Sequence, residues 1–105
     1  MNEQLIRFED IDWEKTSNGI EQKVYSQNGK KMRLLKFLDN FREVDWCTKG
    51  HTGFILKGEM KIDFNGHIKK YRKGDGLWIT SGLPSKHKVI IEQGKQVEII
   101  LFEEE

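Results

Sequence analysis

The chain of 105 residues contains one cysteine, Cys47, and one proline, Pro84. A single cysteine cannot form a disulfide within the chain, so nothing here points to an oxidising compartment. No uninterrupted apolar run approaches the roughly 20 residues that a membrane-spanning helix needs. Residues 1–4 also lack the basic start and apolar stretch of a secretory signal. These features predict a cytoplasmic protein without a membrane partner.

An excess of charge of either sign is also missing. The 18 Lys and Arg residues against 17 Asp and Glu leave a formal net charge of +1, so no overall field would gather nucleic acid or anionic lipid. The one basic cluster, at residues 69–73, falls in a predicted hairpin and turn, where lysines discourage aggregation of a solvated strand edge. We therefore expect no nucleic-acid partner.

A sustained helical period is absent after residue 20, where short β-rich stretches alternate with glycine turns. Asn28-Gly29 and Asn65-Gly66 adopt positive φ readily and suit two-residue hairpin turns. The strands predicted to flank these turns are 20–27, 31–38, 60–64 and 67–72.

Further strands and one ambiguous segment complete the pattern. Residues 8–15 fit either a turn or two of helix or an edge strand, and residues 103–105 are predicted to be a frayed acidic tail. The additional predicted strands are 77–79, 89–91 and 97–102. Together these elements predict one all-β domain, either a sandwich or a closed barrel.

Two motifs decide between those architectures. The stretch Phe54-Ile55-Leu56-Lys57-Gly58-Glu59 is followed, after the Asn65-Gly66 hairpin, by the turn Gly74-Asp75. Both turns and their spacing resemble the two motifs of the cupin superfamily, over roughly residues 32 to 102. The resemblance implies a double-stranded β-helix, which is a jelly-roll-like barrel, over residues 32–105. Residues 1–31 would supply N-terminal strands or an arm that packs on the barrel.

The same resemblance suggests a metal site. Metal-binding cupins carry His-x-His, a Glu four residues later and a second-motif His. Those positions here hold Asp45, Cys47 and His51, and the last falls near Ser85, with His87 two residues beyond. The resemblance therefore implies Zn or Fe held by Cys47, His51 and His87, with Asp45 as a further ligand. The competing interpretation is a buried Cys47, a hydrogen-bonded His51 and a turn residue at Asp45.

A ligand pocket is expected at the barrel mouth, because small barrels commonly hold one ligand there. Gly53 would leave room for a ligand, or else mark a tight packing contact or a bulge. On the strand around Trp78, either Trp78 and Thr80 or Leu77 and Ile79 would face the pocket. The predicted pocket residues are Asp45, Cys47, His51, Gly53, Ile55, Trp78, Ser85 and His87.

The leading functional hypothesis is a small-molecule-binding module that acts as a sensor or accessory protein and forms a homodimer through its outer strands. The alternative is a metal-dependent enzyme of the oxygenase or isomerase type, with Asp45 as ligand or general base. The sequence does not decide whether the protein is an enzyme and names no catalytic residue, because this architecture hosts many unrelated activities.

Overall fold

The computed structural model describes residues 4–104 and confirms the all-β prediction. Two three-residue 3-10 turns, Phe8–Asp10 and Leu83–Ser85, are the only helical segments among these residues, so no helix of the described chain could cross a bilayer. The eight strands are β1 (Glu14–Ser17), β2 (Ile20–Gln27), β3 (Lys30–Phe37), β4 (His51–Asp63), β5 (Ile68–Arg72), β6 (Gly76–Ile79), β7 (Lys88–Ile90) and β8 (Val97–Glu104).

Strand β4 connects the two halves of the curled antiparallel sheet. Its first half pairs with β8 on one side and β6 on the other, and its second half pairs with β5 and β7. From β8 the sheet continues through β3 and β2 to β1. The register between β4 and β8 shifts between Ile55 and Lys57, and such a bulge bends a strand. The sheet therefore curls into the half-barrel of the predicted fold.

The hydrophobic core lies on the inner face of this curled sheet. In β8, Val97, Ile99 and Leu101 share the inner face, and they alternate with the partly buried Glu98, the buried Ile100 and the exposed Phe102 on the other face. The other buried apolar residues of the core are Leu35, Phe37, Phe41, Ile55, Met60, Ile62, Leu77, Ile79 and Ile91. At one end of the barrel the inward-facing side chains become polar, and this end holds the candidate site.

The predicted turns agree with the structure. Asn28 and Asn65 have φ values of +52° and +58°, and each is followed by a glycine of positive φ. The ambiguous segment at 8–15 divides into the first 3-10 turn and the start of β1. Strand β2 pairs with β3 over eight residues, so part of the chain before residue 32 belongs to the same sheet. Residues 1–3 and 105 lie outside the described residues.

The predicted acidic tail is wrong for Glu103 and Glu104, because β8 extends to Glu104. Strand β3 supplies the partners: Lys31 lies opposite Glu103, and Lys30 lies opposite Glu104. Arg33 also makes two hydrogen bonds to the Glu103 carboxylate. The two acidic residues thus continue β8, because the neighbouring strand β3 supplies basic side chains to pair with them. Glu105 is not among the described residues.

Gly58 and Gly29 provide a matched test of the close approach between the Gly58 backbone and Gln96. Both adopt left-handed backbone, with φ of +75° and +76°, but a Cβ on Gly58 would lie 1.9 Å from the Gln96 carbonyl oxygen, whereas a Cβ on Gly29 meets nothing within 4 Å. Gly29→Ala should lower the free energy of unfolding by about 1–2 kcal/mol, from the backbone conformation alone. Gly58→Ala should lower it by at least about 2 kcal/mol more, because the Gln96 backbone must shift. Urea unfolding measures both, and equal losses would contradict the close approach.

Candidate functional site

Cys47 and His87 are held opposite each other by the backbone. They form an isolated antiparallel bridge, in which the Cys47 N–H donates to the His87 carbonyl at 2.9 Å and the His87 N–H donates to the Cys47 carbonyl at 3.0 Å. Residues paired in this way project their side chains to the same face. The bridge therefore aligns the thiol with an imidazole that is only 3% exposed.

His51 completes the cluster from the first position of β4. Its ring centroid lies 5.8 Å from that of His87, with the two rings nearly perpendicular at 80°. One potential ligand atom from each of Cys47, His51 and His87 lies within 4.8 Å of the other two. The structure thus brings together the three residues that were predicted to hold a metal.

The outward nitrogen of each imidazole faces an acceptor. His87 Nδ1 lies 3.0 Å from the Ser85 carbonyl oxygen; a carbonyl can only accept, so we assign the hydrogen to Nδ1. His51 Nδ1 lies 3.4 Å from Glu103 Oε2, within ion-pair distance. The two atoms do not reach hydrogen-bond geometry, so this buried nitrogen has no hydrogen-bond partner among the described residues. A hydrogen on His87 Nδ1 leaves the Nε2 lone pair of that ring free for a ligand.

Burial favours the neutral form of His51. Removal from water lowers its pKa below the usual value, Glu103 opposes that change, and the positive charge of Arg33 adds to it. At Glu103 burial opposes ionisation, but the hydrogen bonds and charge of Arg33 hold the pKa of the carboxyl below its ordinary range. Burial thus favours the neutral form of His51 and Arg33 favours the ionised form of Glu103, and neutral imidazole is the form that binds metal ions.

The cluster fits a Zn or Fe ion in both chemistry and size. A thiolate and two neutral imidazoles are established ligands of these metals. In a tetrahedral zinc site, ligand atoms lie about 3.4–3.8 Å from one another. The separations here are within 4.8 Å, so side-chain rotations that move the ligand atoms by about 1 Å would close the site.

A cavity of about 400 Å³ opens beside the cluster. Cys47, His51 and His87 line it together with the polar Thr16, Gln22, Arg33, Glu43 and Lys49. The apolar wall is formed by Ile20, Leu35, Phe37, Phe41, Met60, Ile62, Leu77, Ile79, Val89, Ile99 and Leu101. The cavity therefore has a wide apolar surface and a smaller polar region that contains the candidate metal ligands.

Five predicted pocket residues do not line this cavity. Asp45 is exposed, because residues 44–46 form no strand and the period-two alternation from Cys47 does not extend back to them. Ser85 contributes its backbone carbonyl to His87, while its hydroxyl lies 3.4 Å from that of Thr80. Ile55 is fully buried in the core.

Gly53 and Trp78 differ from the prediction for reasons of packing and register. A Cβ on Gly53 would lie 2.1 Å from the Ile100 carbonyl oxygen, so this glycine permits a close approach of β8 and leaves no ligand space. Trp78 lies opposite Thr52 on the outer face and is 83% exposed. Leu77 and Ile79, the other pair of that strand, face the cavity instead.

Several lining residues were not predicted from the sequence. Arg33 shares the inward face of β3 with Leu35 and Phe37, so alternation along that strand could have identified it. Glu43 lies in an irregular segment, where no periodic signal exists. Its Oε1 accepts a hydrogen bond from the Val89 N–H at 2.7 Å, which connects the irregular segment to the strand that follows His87.

The Glu43 contact can be tested with two substitutions. Glu43→Ala removes the acceptor of a partly buried N–H and should lower the free energy of unfolding by about 1–2 kcal/mol. Glu43→Gln retains an acceptor oxygen and should cause less than about half that loss. Urea unfolding of the two variants and the parent gives the comparison. If both variants lose the same stability, the Val89 hydrogen bond is not what Glu43 contributes.

Comparisons with solved structures agree with this architecture. KdgF from Halomonas sp. is similar with a TM-score of 0.78 and 16% identity, covering 99% of this chain and 96% of the other. The polyketide cyclase RemF from Streptomyces resistomycificus gives 0.80 and 12%, with coverage of 96% and 78%. An RmlC-like cupin from Shewanella frigidimarina NCIMB 400 gives 0.73 and 16%, with coverage of 96% and 91%. No model of a known protein family and no curated protein matches the sequence significantly. The chain therefore has the fold of a single-domain cupin.

Proposed function

We propose that the protein binds a small, largely apolar molecule in its cavity beside a divalent metal ion held by Cys47, His51 and His87. The observation that carries this proposal is the approach of the three ligand atoms to within 4.8 Å of one another at the cavity wall. The proposed role is that of a sensor or accessory protein, in which binding itself is the function.

The surroundings of the cluster support a metal more than ordinary core packing. His87 Nδ1 is engaged by the Ser85 carbonyl, and His51 Nδ1 faces the Glu103 carboxylate. Metal-binding histidines commonly direct their second nitrogen to a backbone carbonyl or a carboxylate in this way. The His87 ring is therefore held by a hydrogen bond at Nδ1, and the His51 ring has a carboxylate within ion-pair distance of its Nδ1.

The cavity favours a ligand with an apolar body and a polar end. Its volume of about 400 Å³ falls in the range of small-molecule pockets. Burial of an apolar ligand surface against the aliphatic and aromatic wall supplies the driving force. Lys49 and Glu43 line the same cavity and offer one cation and one carboxylate to orient polar groups of the ligand.

The second candidate function is a metal-dependent enzyme. One structural neighbour is a polyketide cyclase, but at 12% sequence identity the two proteins can be compared in fold only. A bound ion would supply Lewis acidity and, with three protein ligands, an open coordination position. Asp45 is exposed and outside the cavity, so Glu43 replaces it as the carboxylate positioned to act as a general base.

Metal binding can be tested with untagged protein that has been purified without a metal column. Elemental analysis should find about one Zn or Fe ion per chain, and titration of metal-free protein with Co²⁺ should give thiolate-to-cobalt absorption. Cys47→Ala and His87→Ala should each weaken binding at least about 100-fold, since each removes a direct ligand. The exposed histidine variant His67→Ala is the matched control and should bind as the parent does.

Two results would contradict the metal site. One is a parent protein that neither carries metal nor binds Co²⁺. The other is metal that persists unchanged in both Cys47→Ala and His87→Ala while their circular dichroism remains that of the folded parent.

We also propose that a second copy of the chain covers the outer face of the sheet. Phe54, Trp78 and Phe102 are 43%, 83% and 51% exposed. Thr52 lies opposite both Trp78 and Phe102, and Phe54 follows on the same face, so these residues form one apolar strip across three strands. Exposed apolar patches mark interaction sites, and a single patch that pairs with itself gives a two-fold homodimer.

The dimer is tested by the mass in solution. Light scattering after gel filtration should give a dimer for the parent and a monomer for Trp78→Glu, because a charge within the strip would be buried at the interface without a partner. Leu83→Glu is the control, since Leu83 is 73% exposed but lies in the second 3-10 turn. A monomeric parent, or equal dimerisation of Trp78→Glu, would exclude this interface.

A further inference from the structure

The Glu103 carboxylate lies beside the candidate site, between side chains of the two strands that flank β8. In β8 it shares the inward face with Ile99 and Leu101. Because β8 pairs with β3 on one side and β4 on the other, Glu103 lies between the Lys31 and Arg33 side chains of β3 and the His51 side chain of β4. We propose that Glu103, held in place by Arg33, is a positioning residue that fixes the tautomer and orientation of His51.

Arg33 fixes the carboxylate by a two-point contact. Its Nε donates to Glu103 Oε1 at 3.0 Å and its Nη2 donates to Oε2 at 2.7 Å. The Lys31 Nζ forms a longer ion pair with Glu103 Oε1, at 3.7 Å. A planar guanidinium that bonds both carboxylate oxygens restricts rotation of the carboxylate group. Oε2, the oxygen nearest His51, therefore has a defined direction.

Oε2 is the acceptor available to the outward nitrogen of His51. The two atoms are 3.4 Å apart, and the His51 and Glu103 side chains are 13% and 14% exposed, so water competes little. His51 Nδ1 is buried and has no hydrogen-bond partner among residues 4–104. A buried N–H without an acceptor is destabilising, so a small rotation that completes the bond to Oε2 is favourable.

Completion of that bond determines which nitrogen of His51 carries the hydrogen and which carries the lone pair. With the hydrogen on Nδ1, the lone pair of His51 is on Nε2, which is then the nitrogen that can bind the proposed metal together with Cys47 and His87. His87 has the same arrangement, with the Ser85 carbonyl as its fixed acceptor. The inference thus deepens the proposed metal site and rests on it for its functional meaning, but the tautomer itself is a property of the metal-free protein.

The competing interpretation is that the Arg33–Glu103 ion pair only holds β3 against β8. Two substitutions distinguish the interpretations, since each removes this ion pair but only one removes the acceptor of His51. Glu103→Leu removes both, whereas Arg33→Met removes the ion pair and leaves the Glu103 carboxylate beside His51. A purely structural pair predicts the same change in both variants.

The direct measurement is a long-range proton–nitrogen NMR spectrum of the metal-free protein, recorded well above the ordinary histidine pKa of about 6.5 so that the rings are neutral. We expect the Nδ1–H tautomer for His51 in the parent and in Arg33→Met, and its loss in Glu103→Leu. His87 serves as an internal control, because its Ser85 acceptor is unchanged and its tautomer should stay Nδ1–H in every variant.

A Co²⁺ titration provides the second measurement. Glu103→Leu should weaken Co²⁺ binding about 10–100-fold, the usual effect of losing a partner behind a metal-binding histidine. Arg33→Met should weaken it less than about 10-fold.

The Nε2–H tautomer for His51 in the parent would overturn the proposal, even if neither variant folds. An Nδ1–H tautomer that survives in Glu103→Leu, or equal effects of both variants on Co²⁺ binding, would also overturn it. The proposed metal site fails separately: a parent that binds no Co²⁺ ends that proposal, while the tautomer spectra still decide the role of Glu103.

Discussion

Strand β4 is hydrogen-bonded to four other strands, and this shared pairing determines which side chains face the interior. Its first half lies between β8 and β6, and its second half lies between β5 and β7. The change of partners occurs around the bulge and Gly58, whose backbone approaches the Gln96 carbonyl closely. Because the register on both sides of β4 is fixed, His51 at its first position lies at the polar end of the cavity.

The candidate site consists of ligand groups that face the cavity and of acceptor groups that lie behind them. Toward the cavity lie groups that offer lone pairs, namely the Cys47 sulfur and the inward nitrogens of His51 and His87. Behind them lie acceptors and charges that are anchored to the sheet, the Ser85 carbonyl and the Glu103 carboxylate. Polar groups in a largely apolar interior need such partners. The acceptor groups therefore account for the orientation of the ligand groups.

Local features of the sequence predicted the fold well, because they are set by short-range chemistry. The Asn28-Gly29 and Asn65-Gly66 turns require positive φ, and the alternation in 97–102 places Val97, Ile99 and Leu101 inward. The same alternation could have placed Glu103 inward. A run of acidic residues is usually solvated and therefore predicts an exposed tail. The pairing of this run with the basic strand β3 cannot be seen from residues 103–105 alone.

The cavity wall was harder to predict, because it depends on register between distant strands. Alternation separates Trp78 from Leu77 and Ile79, but only pairing with β4 determines which group faces inward. The cupin resemblance implies Asp45 as a site residue, but among the described residues only a single bridge exists at Cys47 and the residues before it are irregular. Glu43 lies in that irregular segment, where its contact with Val89 spans 46 residues of sequence.

We propose that Cys47, His51 and His87 hold one metal ion at the cavity wall. Anomalous diffraction at the cobalt edge from crystals of the Co²⁺-loaded protein would locate that ion. We expect one anomalous peak within bonding distance of Cys47 Sγ and of Nε2 in both histidines, about 2.0–2.3 Å from each. A peak elsewhere, or none between these side chains in protein that retains this fold, would contradict it.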